Sequence, residues 1–272
     1  MMRLIFIAMM VFVQTAFADV LPQPDHIVIV IEENKSFNQI VGNPAAPYIN
    51  SLLQHGVLFT NSRGITHPSQ PNYLALFSGS THNITNDACL LELSGDNLAS
   101  NLFTKNFSFV SYSETLPETA YLGCIAGSYA RKHNPLSNWL ALAKFNQPFV
   151  EFPQDFAKLP TVALVVPNLL NDMHDGSIAQ GDTWLAQNIG RYAQWALTHN
   201  SLLIVTWDED NGTVDNQIAT IFFGAVVNPG KSSQQINHYT VLRTVSDIYG
   251  LPLPGLSASE KSISGIWKSS TK

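Results

Sequence analysis

Short uninterrupted apolar runs recur along the chain, each followed by a polar turn and then a stretch of helical spacing. The runs predict strands at His26–Ile31, Val57–Thr60, Phe107–Tyr112, Thr161–Val166, Leu202–Thr206 and Ala219–Phe223. Between them, helical patterns are predicted over Ala46–Gln54, Gln70–Phe77, Leu136–Ala143, Asp182–Thr198 and Tyr239–Tyr249. The Asp182–Thr198 segment is the clearest, with Trp184, Leu185, Ile189, Tyr192, Ala193 and Ala196 near helical spacing. Several strand runs are rich in Val and Ile at both parities, which is what burial on two faces requires. Strands alternating with helices predict an α/β fold, a three-layer α/β/α sandwich around a mostly parallel sheet. The stretch 83–134 is the least regular and is expected to form a loop-rich cap.

The first eighteen residues carry Arg3, an apolar run from Leu4 to Val13, and Ala16-Phe17-Ala18 ahead of Asp19. This reads as a signal peptide with a small-x-small cleavage site, too short for a membrane span. A secreted or periplasmic protein without a stable membrane anchor is expected, with a single domain over 19–272. Loss of Arg3 would move the formal charge from −6 to −7, which argues against nucleic acid as a partner. In an exported chain, Cys89 and Cys124 are expected to pair, closing a loop worth about 3–4 kcal/mol in the chain-entropy model.

Polar residues gather where the apolar runs stop. His26–Ile31 runs into Glu33-Asn34-Lys35-Ser36-Phe37, and Leu202–Thr206 into Trp207-Asp208-Glu209-Asp210-Asn211-Gly212. Carboxylates at the ends of buried strands lie at the sheet edge where open α/β folds build their sites. Adjacent acids there repel unless a cation satisfies both, although Asn211-Gly212 also suits a plain turn. His67-Pro68-Ser69-Gln70-Pro71-Asn72 precedes a helix, so Ser69 reads either as an N-cap or as a hydroxyl poised beside an anion at a positive helix end. No Gly-x-Ser-x-Gly elbow occurs. His174, in Asn171-Asp172-Met173-His174-Asp175, and His238, in Asn237-His238-Tyr239, lack a tight zinc-binding spacing.

Taken in order, these segments resemble the phosphoesterase family of bacterial acid phosphatases and phosphatidylcholine-type, or non-specific, phospholipases C, whose core is similar to the alkaline phosphatase superfamily. Glu33-Asn34-Lys35-Ser36-Phe37 to Gly42 looks like its Glu-Asn-x-Ser-Phe…Gly signature. Asn171-Asp172-Met173-His174 with Gly181, Thr206-Trp207-Asp208-Glu209, and Asn237-His238-Tyr239-Thr240 look like its later motifs. The match runs from about residue 26 to 251. Ser69-Gln70-Pro71-Asn72 resembles the nucleophile turn of nucleotide pyrophosphatases. It is also similar to a sulfatase signature, except that Tyr73 stands where an Arg belongs. Asn38 and Asp210-Asn211 depart from the family pattern, which bears on substrate preference.

The resemblance implies a secreted, metal-dependent phosphoesterase of acid-phosphatase type acting through Ser69. The alternative is a phospholipase C acting on phospholipid diesters, and beyond it a binding protein that has lost turnover. Glu33, Asn34, Asp208 and Glu209 would hold a divalent cation. All-oxygen ligation favours Ca²⁺, Mg²⁺ or Mn²⁺, whereas Asp172 with His174 and His238 would complete a Zn²⁺ site. His174 and His238 would protonate the leaving group, while Asn34 and His67 would contact the phosphate. The substrate would be a small phosphate ester or a phospholipid headgroup; an apolar lip of Leu90, Leu91, Leu93, Tyr121 and Leu122 would favour the lipid.

Overall fold

The structure, a computed structural model, describes residues 21–89 and 92–269. The expected signal peptide over 1–18, and Leu90 and Leu91 of the expected lip, lie outside the described residues. Strands β1 (His26–Glu32), β2 (Gly56–Arg63), β3 (Phe109–Ser113), β6 (Asn146–Pro148), β7 (Val162–Val166), β8 (Ser201–Trp207), β9 (Gln217–Phe223) and β10 (Gly230–Ser232) form the central sheet, and β11 (Ile236–Asn237) pairs with β2. β4 (Ile125–Ala126) and β5 (Tyr129–Ala130) make a separate hairpin. The helices are α1 (Phe37–Ile40), α2 (Pro47–Leu52), α3 (Ser69–Ser78), α4 (Leu98–Thr104), α5 (Ile178–Asn188), α6 (Gly190–Ala196) and α7 (His238–Ile248).

The sheet order is β10-β2-β9-β8-β1-β7-β3-β6. β1 lies parallel to both β7 and β8, whereas β9 runs antiparallel to β8 and to β2. Two reversals restore direction, so β2 points the same way as β1 and β8. The carboxyl ends of β1, β2, β7 and β8 therefore open on one edge. This is the α/β/α arrangement expected from the alternating pattern.

The period-two alternation of β1 divides the core. Ile27, Ile29 and Ile31 pack with Leu74 of α3, Leu102 of α4 and Val245 of α7 on one face. Val28 and Val30 pack with Ile49 of α2, Leu185 of α5 and Tyr192 of α6 on the other. Both parities are apolar because neither face of a central parallel strand meets water.

Three elements depart from expectation. The predicted helix Leu136–Ala143 is two 3₁₀ turns, Pro135–Asn138 and Leu140–Phe145. Buried polar side chains set this path: Asn134 Nδ2 donates to Ser113 Oγ (2.9 Å) and Asn146 Oδ1 (2.8 Å), tying the turns to the sheet edge. The predicted helix Asp182–Thr198 begins earlier, at Ile178, capped by Ser177, and breaks before Gly190 into α5 and α6. Glycine is a poor helix former, and the pattern of apolar residues does not register that break. The loop-rich region is also narrower than 83–134, because α4 falls inside it and, with the expected strand β3, joins the core. What remains irregular is pinned by a Cys89–Cys124 disulfide with Cα atoms 5.6 Å apart, an ordinary separation for a bridged pair.

Candidate active site at the carboxyl edge

Backbone hydrogen bonds bring three strand ends together. The Glu33 amide donates to the Asp172 carbonyl (2.7 Å) and the Asp208 amide to the Glu32 carbonyl (3.0 Å). Past the end of β1 the chain turns at Asn34, whose φ of 46° lies in the left-handed region that asparagine tolerates. Its backbone N–H meets Asp208 Oδ1 at 3.2 Å. Across the sheet, β2 leads through Pro68 into α3. Pro68, not Ser69, is the N-cap residue; Ser69 is the first helical residue, and α3 has no side-chain cap. The N-cap reading of Ser69 is thus corrected, because the hydroxyl turns toward the carboxylates instead.

Ser69 is buried, and its Oγ lies 2.9 Å from Glu33 Oε2, 3.2 Å from Glu209 Oε1 and 3.4 Å from Asn34 Oδ1. The end of the Asn34 side chain faces acceptors only. With its nitrogen turned inward it donates to Glu33 Oε2 (2.9 Å), Asp208 Oδ1 (3.3 Å) and Glu209 Oε1 (3.3 Å). Its oxygen would join the same ring if a cation sat at the centre. Asp208 Oδ2, also buried, has no hydrogen-bond partner among the described residues. Burial, then the neighbouring Asp208 and Asp172, hold the Glu33 carboxyl well above its usual range. Burial and then Glu209 do the same for Asp208. Three carboxyl groups and an amide oxygen around one hydroxyl, with an orphaned oxygen among them, make a donor set that fits a hard divalent cation.

A second layer stands behind Glu33. The hydroxyl of Tyr73 donates a short hydrogen bond to Glu33 Oε1. The His133 ring stacks on Tyr73 at 5.2 Å, with Nε2 3.2 Å from Glu33 Oε1 and Nδ1 3.1 Å from Asp172 Oδ2. Though close, His133 Nε2 is not oriented to hydrogen-bond Glu33. Burial, with Lys132 and His174 nearby, keeps His133 well below its ordinary value, hence neutral. Nitrogen and oxygen atoms of Glu33, His133 and His174 lie within 4.8 Å of one another, a further place where a metal could be held.

Several expected site residues land elsewhere. Asp172 is buried but does not join the ring around Ser69: one oxygen faces His133 and the other accepts from the His174 backbone N–H at 2.7 Å. His238 is fully enclosed, with Nε2 2.5 Å from the Asp208 carbonyl. Burial pushes it down to about 4, so it is neutral and placed behind a ligand rather than as an acid. His174 thus groups with His133 and not with His238. His67, expected at the phosphate, has both ring nitrogens engaged, Nδ1 by Glu209 Oε2 and Nε2 by the Thr213 carbonyl at 3.1 Å.

Sequence reading missed His133, Lys132, Tyr73 and Asp87. The one available signal was the run Arg131-Lys132-His133 in a chain with only 14 Lys and Arg residues. Nothing in its spacing ties it to Glu33; only the 3₁₀ turn at Arg131–His133 does.

Comparison with known proteins bears on the family and the fold. The model of the Phosphoesterase family matches residues 42–252, which include Ser69, Asp208 and Glu209. The chain is 48% identical over 254 residues to a phosphatidylinositol-3-phosphatase of Mycobacterium tuberculosis, covering 92% of this chain and 85% of that protein. It is 34% identical over 227 residues to an acid phosphatase of Aspergillus fumigatus, covering 75% of this chain and 51% of that protein. In fold it is similar to an alkaline phosphatase superfamily protein of Vibrio parahaemolyticus, with a TM-score of 0.61 at 13% identity over 90% of this chain and 72% of the other. The chain therefore belongs to the phosphoesterase family, related to the acid phosphatases, and is a hydrolase of phosphate ester bonds.

Proposed function

We propose that the protein is an exported, metal-dependent phosphatase that cleaves phosphate esters through Ser69. The observation that carries this reading is the Ser69 hydroxyl at the head of α3, hydrogen-bonded to Glu33 and Glu209 within a ring completed by Asn34 and Asp208. Glu33, Asn34, Asp208 and Glu209 would hold the cation; their oxygens suit Mg²⁺, Ca²⁺ or Mn²⁺, and the nearby His133 and His174 would suit Zn²⁺. Such an ion lowers the pKa of a bound hydroxyl and offsets charge on phosphoryl oxygens. The Ser69 proton passes to Glu33 or Glu209 as Oγ forms a bond to phosphorus and the ester oxygen leaves with its electron pair. The ester oxygen takes a proton from solvent. Water then attacks the phosphoserine, returning the serine and releasing inorganic phosphate.

The remaining side chains orient these groups. Tyr73 fixes Glu33, His133 packs on Tyr73 and holds Asp172, His67 fixes Glu209, and His238 supports the strand end that carries Asp208. The disulfide suits an oxidising compartment, which supports export. A phosphate carried on a lipid headgroup is also consistent with the site mouth. Leu122 and Ile125, in the segment bridged through Cys124, are exposed, and the Mycobacterium tuberculosis relative is named for a phosphoinositide.

The deciding experiment compares wild type and Ser69→Ala on p-nitrophenyl phosphate, before and after chelation. The variant is expected to fold and to lose at least about a thousand-fold in kcat, and chelation to silence the wild type reversibly. Full activity in Ser69→Ala would remove the nucleophile, and full activity after exhaustive chelation would remove the metal.

A further inference from the structure

Lys132 lies outside the roles assigned above. Its Nζ is 2.9 Å from Asp87 Oδ2 and 3.2 Å from His174 Nε2, and its side chain is only one-fifth exposed. Asp87 accepts from that ammonium, so the charge is paired and held in place. His174 Nδ1 lies in turn 2.7 Å from Asp175 Oδ1. The charge thus sits at the mouth, on the His174 side of Glu33, fixed in place and aimed by its neighbours.

Both partners of the Lys132–Asp87 pair are tied to the disulfide. Asp87 lies two residues before Cys89, and its Oδ1 accepts from the Gln70 amide in the first turn of α3 at 3.0 Å. Lys132 follows Arg131, whose amide donates to the Cys124 carbonyl at 2.9 Å. The bridge therefore holds the lysine at a fixed offset from Ser69.

We propose that Lys132 grips a non-bridging phosphoryl oxygen and makes the site selective for phosphate monoesters over diesters. A monoester near neutral pH carries a second negative charge that a diester lacks, and a half-buried ammonium rewards that charge through a charge-assisted hydrogen bond. On binding, the phosphoryl oxygen takes the place of His174 Nε2 as an acceptor of the lysine, while Asp87 stays as its anchor. This selectivity rests on the phosphatase reading above and narrows its substrate class.

The test measures kcat/KM on p-nitrophenyl phosphate and on bis(p-nitrophenyl) phosphate for wild type, Lys132→Gln and Lys132→Arg. Lys132→Gln should lower the monoester-to-diester ratio by roughly 10- to 100-fold, mainly through KM for the monoester, and Lys132→Arg should recover part of it. Calorimetric titration of Ser69→Ala with inorganic phosphate and with dimethyl phosphate should show a preference for phosphate that Ser69→Ala/Lys132→Gln lacks. An equal loss on both esters, or an unchanged phosphate preference, would overturn the proposal. Failure of the serine mechanism would show instead as activity retained by Ser69→Ala, which leaves the Lys132 comparison readable.

Discussion

At the residue scale, the candidate site is a set of carboxyl groups crowded around the Ser69 hydroxyl. Glu33 and Asp208 are buried, and among the described residues no Lys or Arg pairs with them, so both bind protons more tightly than usual and a bound ion would compete for the same oxygens. Asp208 contributes one oxygen that already serves Asn34 and a second that serves nothing. Asp208→Asn keeps the shape and removes the charge. It should weaken divalent metal binding by about 10-fold or more, read as the metal-to-protein ratio after dialysis. An unchanged ratio would exclude Asp208 as a ligand. Burial holds both His133 and His238 below the ordinary histidine range; one contacts Asp172 and the other the Asp208 carbonyl.

At the scale of elements, α3 is the scaffold of the site. All ten of its residues are buried, which is unusual for a helix and follows from its place between the sheet, α7 and the turns that carry His133. Its C-terminus is closed by Gly79 at φ +69°, where an added Cβ would lie 2.0 Å from the Pro254 carbonyl oxygen. Gly79→Ala therefore combines a left-handed backbone with a clash against main chain. It should cost roughly 2 kcal/mol or more, measured as the shift of the urea unfolding midpoint at constant slope; a neutral effect would show that the Pro254 segment yields freely. On the other face, Gly181 of α5 allows close packing of Met173, whose Cγ lies 2.5 Å from where a Cβ would stand. Met173 itself has φ +79°, and its carbonyl accepts from Lys35 Nζ at 2.7 Å. The turn that presents His174 is thus held from the first motif of the sequence and from inside a helix.

At the scale of the whole molecule, the buried acids couple folding to pH and to metal. Asp172 is raised by burial from 3.8 to about 7, and Glu32, Glu33 and Asp208 are raised in the same direction, again chiefly by burial. A carboxyl raised on folding binds its proton more tightly in the folded chain. Its stabilising contribution is complete below its unfolded value and is lost as pH rises through the folded one. For Asp172 that window runs from 3.8 to about 7. The metal-free protein should accordingly melt at a lower temperature at about pH 8 than at about pH 5. A saturating divalent cation should remove most of that difference, because an ion bound to the folded state adds stability by mass action. Thermal unfolding of chelated and metal-loaded protein across this range measures both effects. A chelated protein that becomes more stable as pH rises would contradict the assignment of these acids.

The sequence by itself determined the six longest strands, most of the helices and the α/β class, because two-sided burial writes apolar residues at both parities and turns interrupt them at each edge; the short strands β4, β5, β6, β10 and β11 carry no such run. It also determined the oxygen cluster, since Glu33, Asn34, Asp208 and Glu209 directly follow apolar runs and need only a parallel sheet to meet. The break at Gly190, the 3₁₀ path of 135–145 and the first helical position of Ser69 were decided by packing, which local periodicity does not record. The roles of the histidines were likewise tertiary. His238 looks as available as His174 in the sequence, yet burial neutralises it beneath the Asp208 backbone, while His133 reaches Glu33 from a hundred residues away. The gathering of oxygens followed from where strands end; proton affinity and orientation followed from which groups the fold excluded from water.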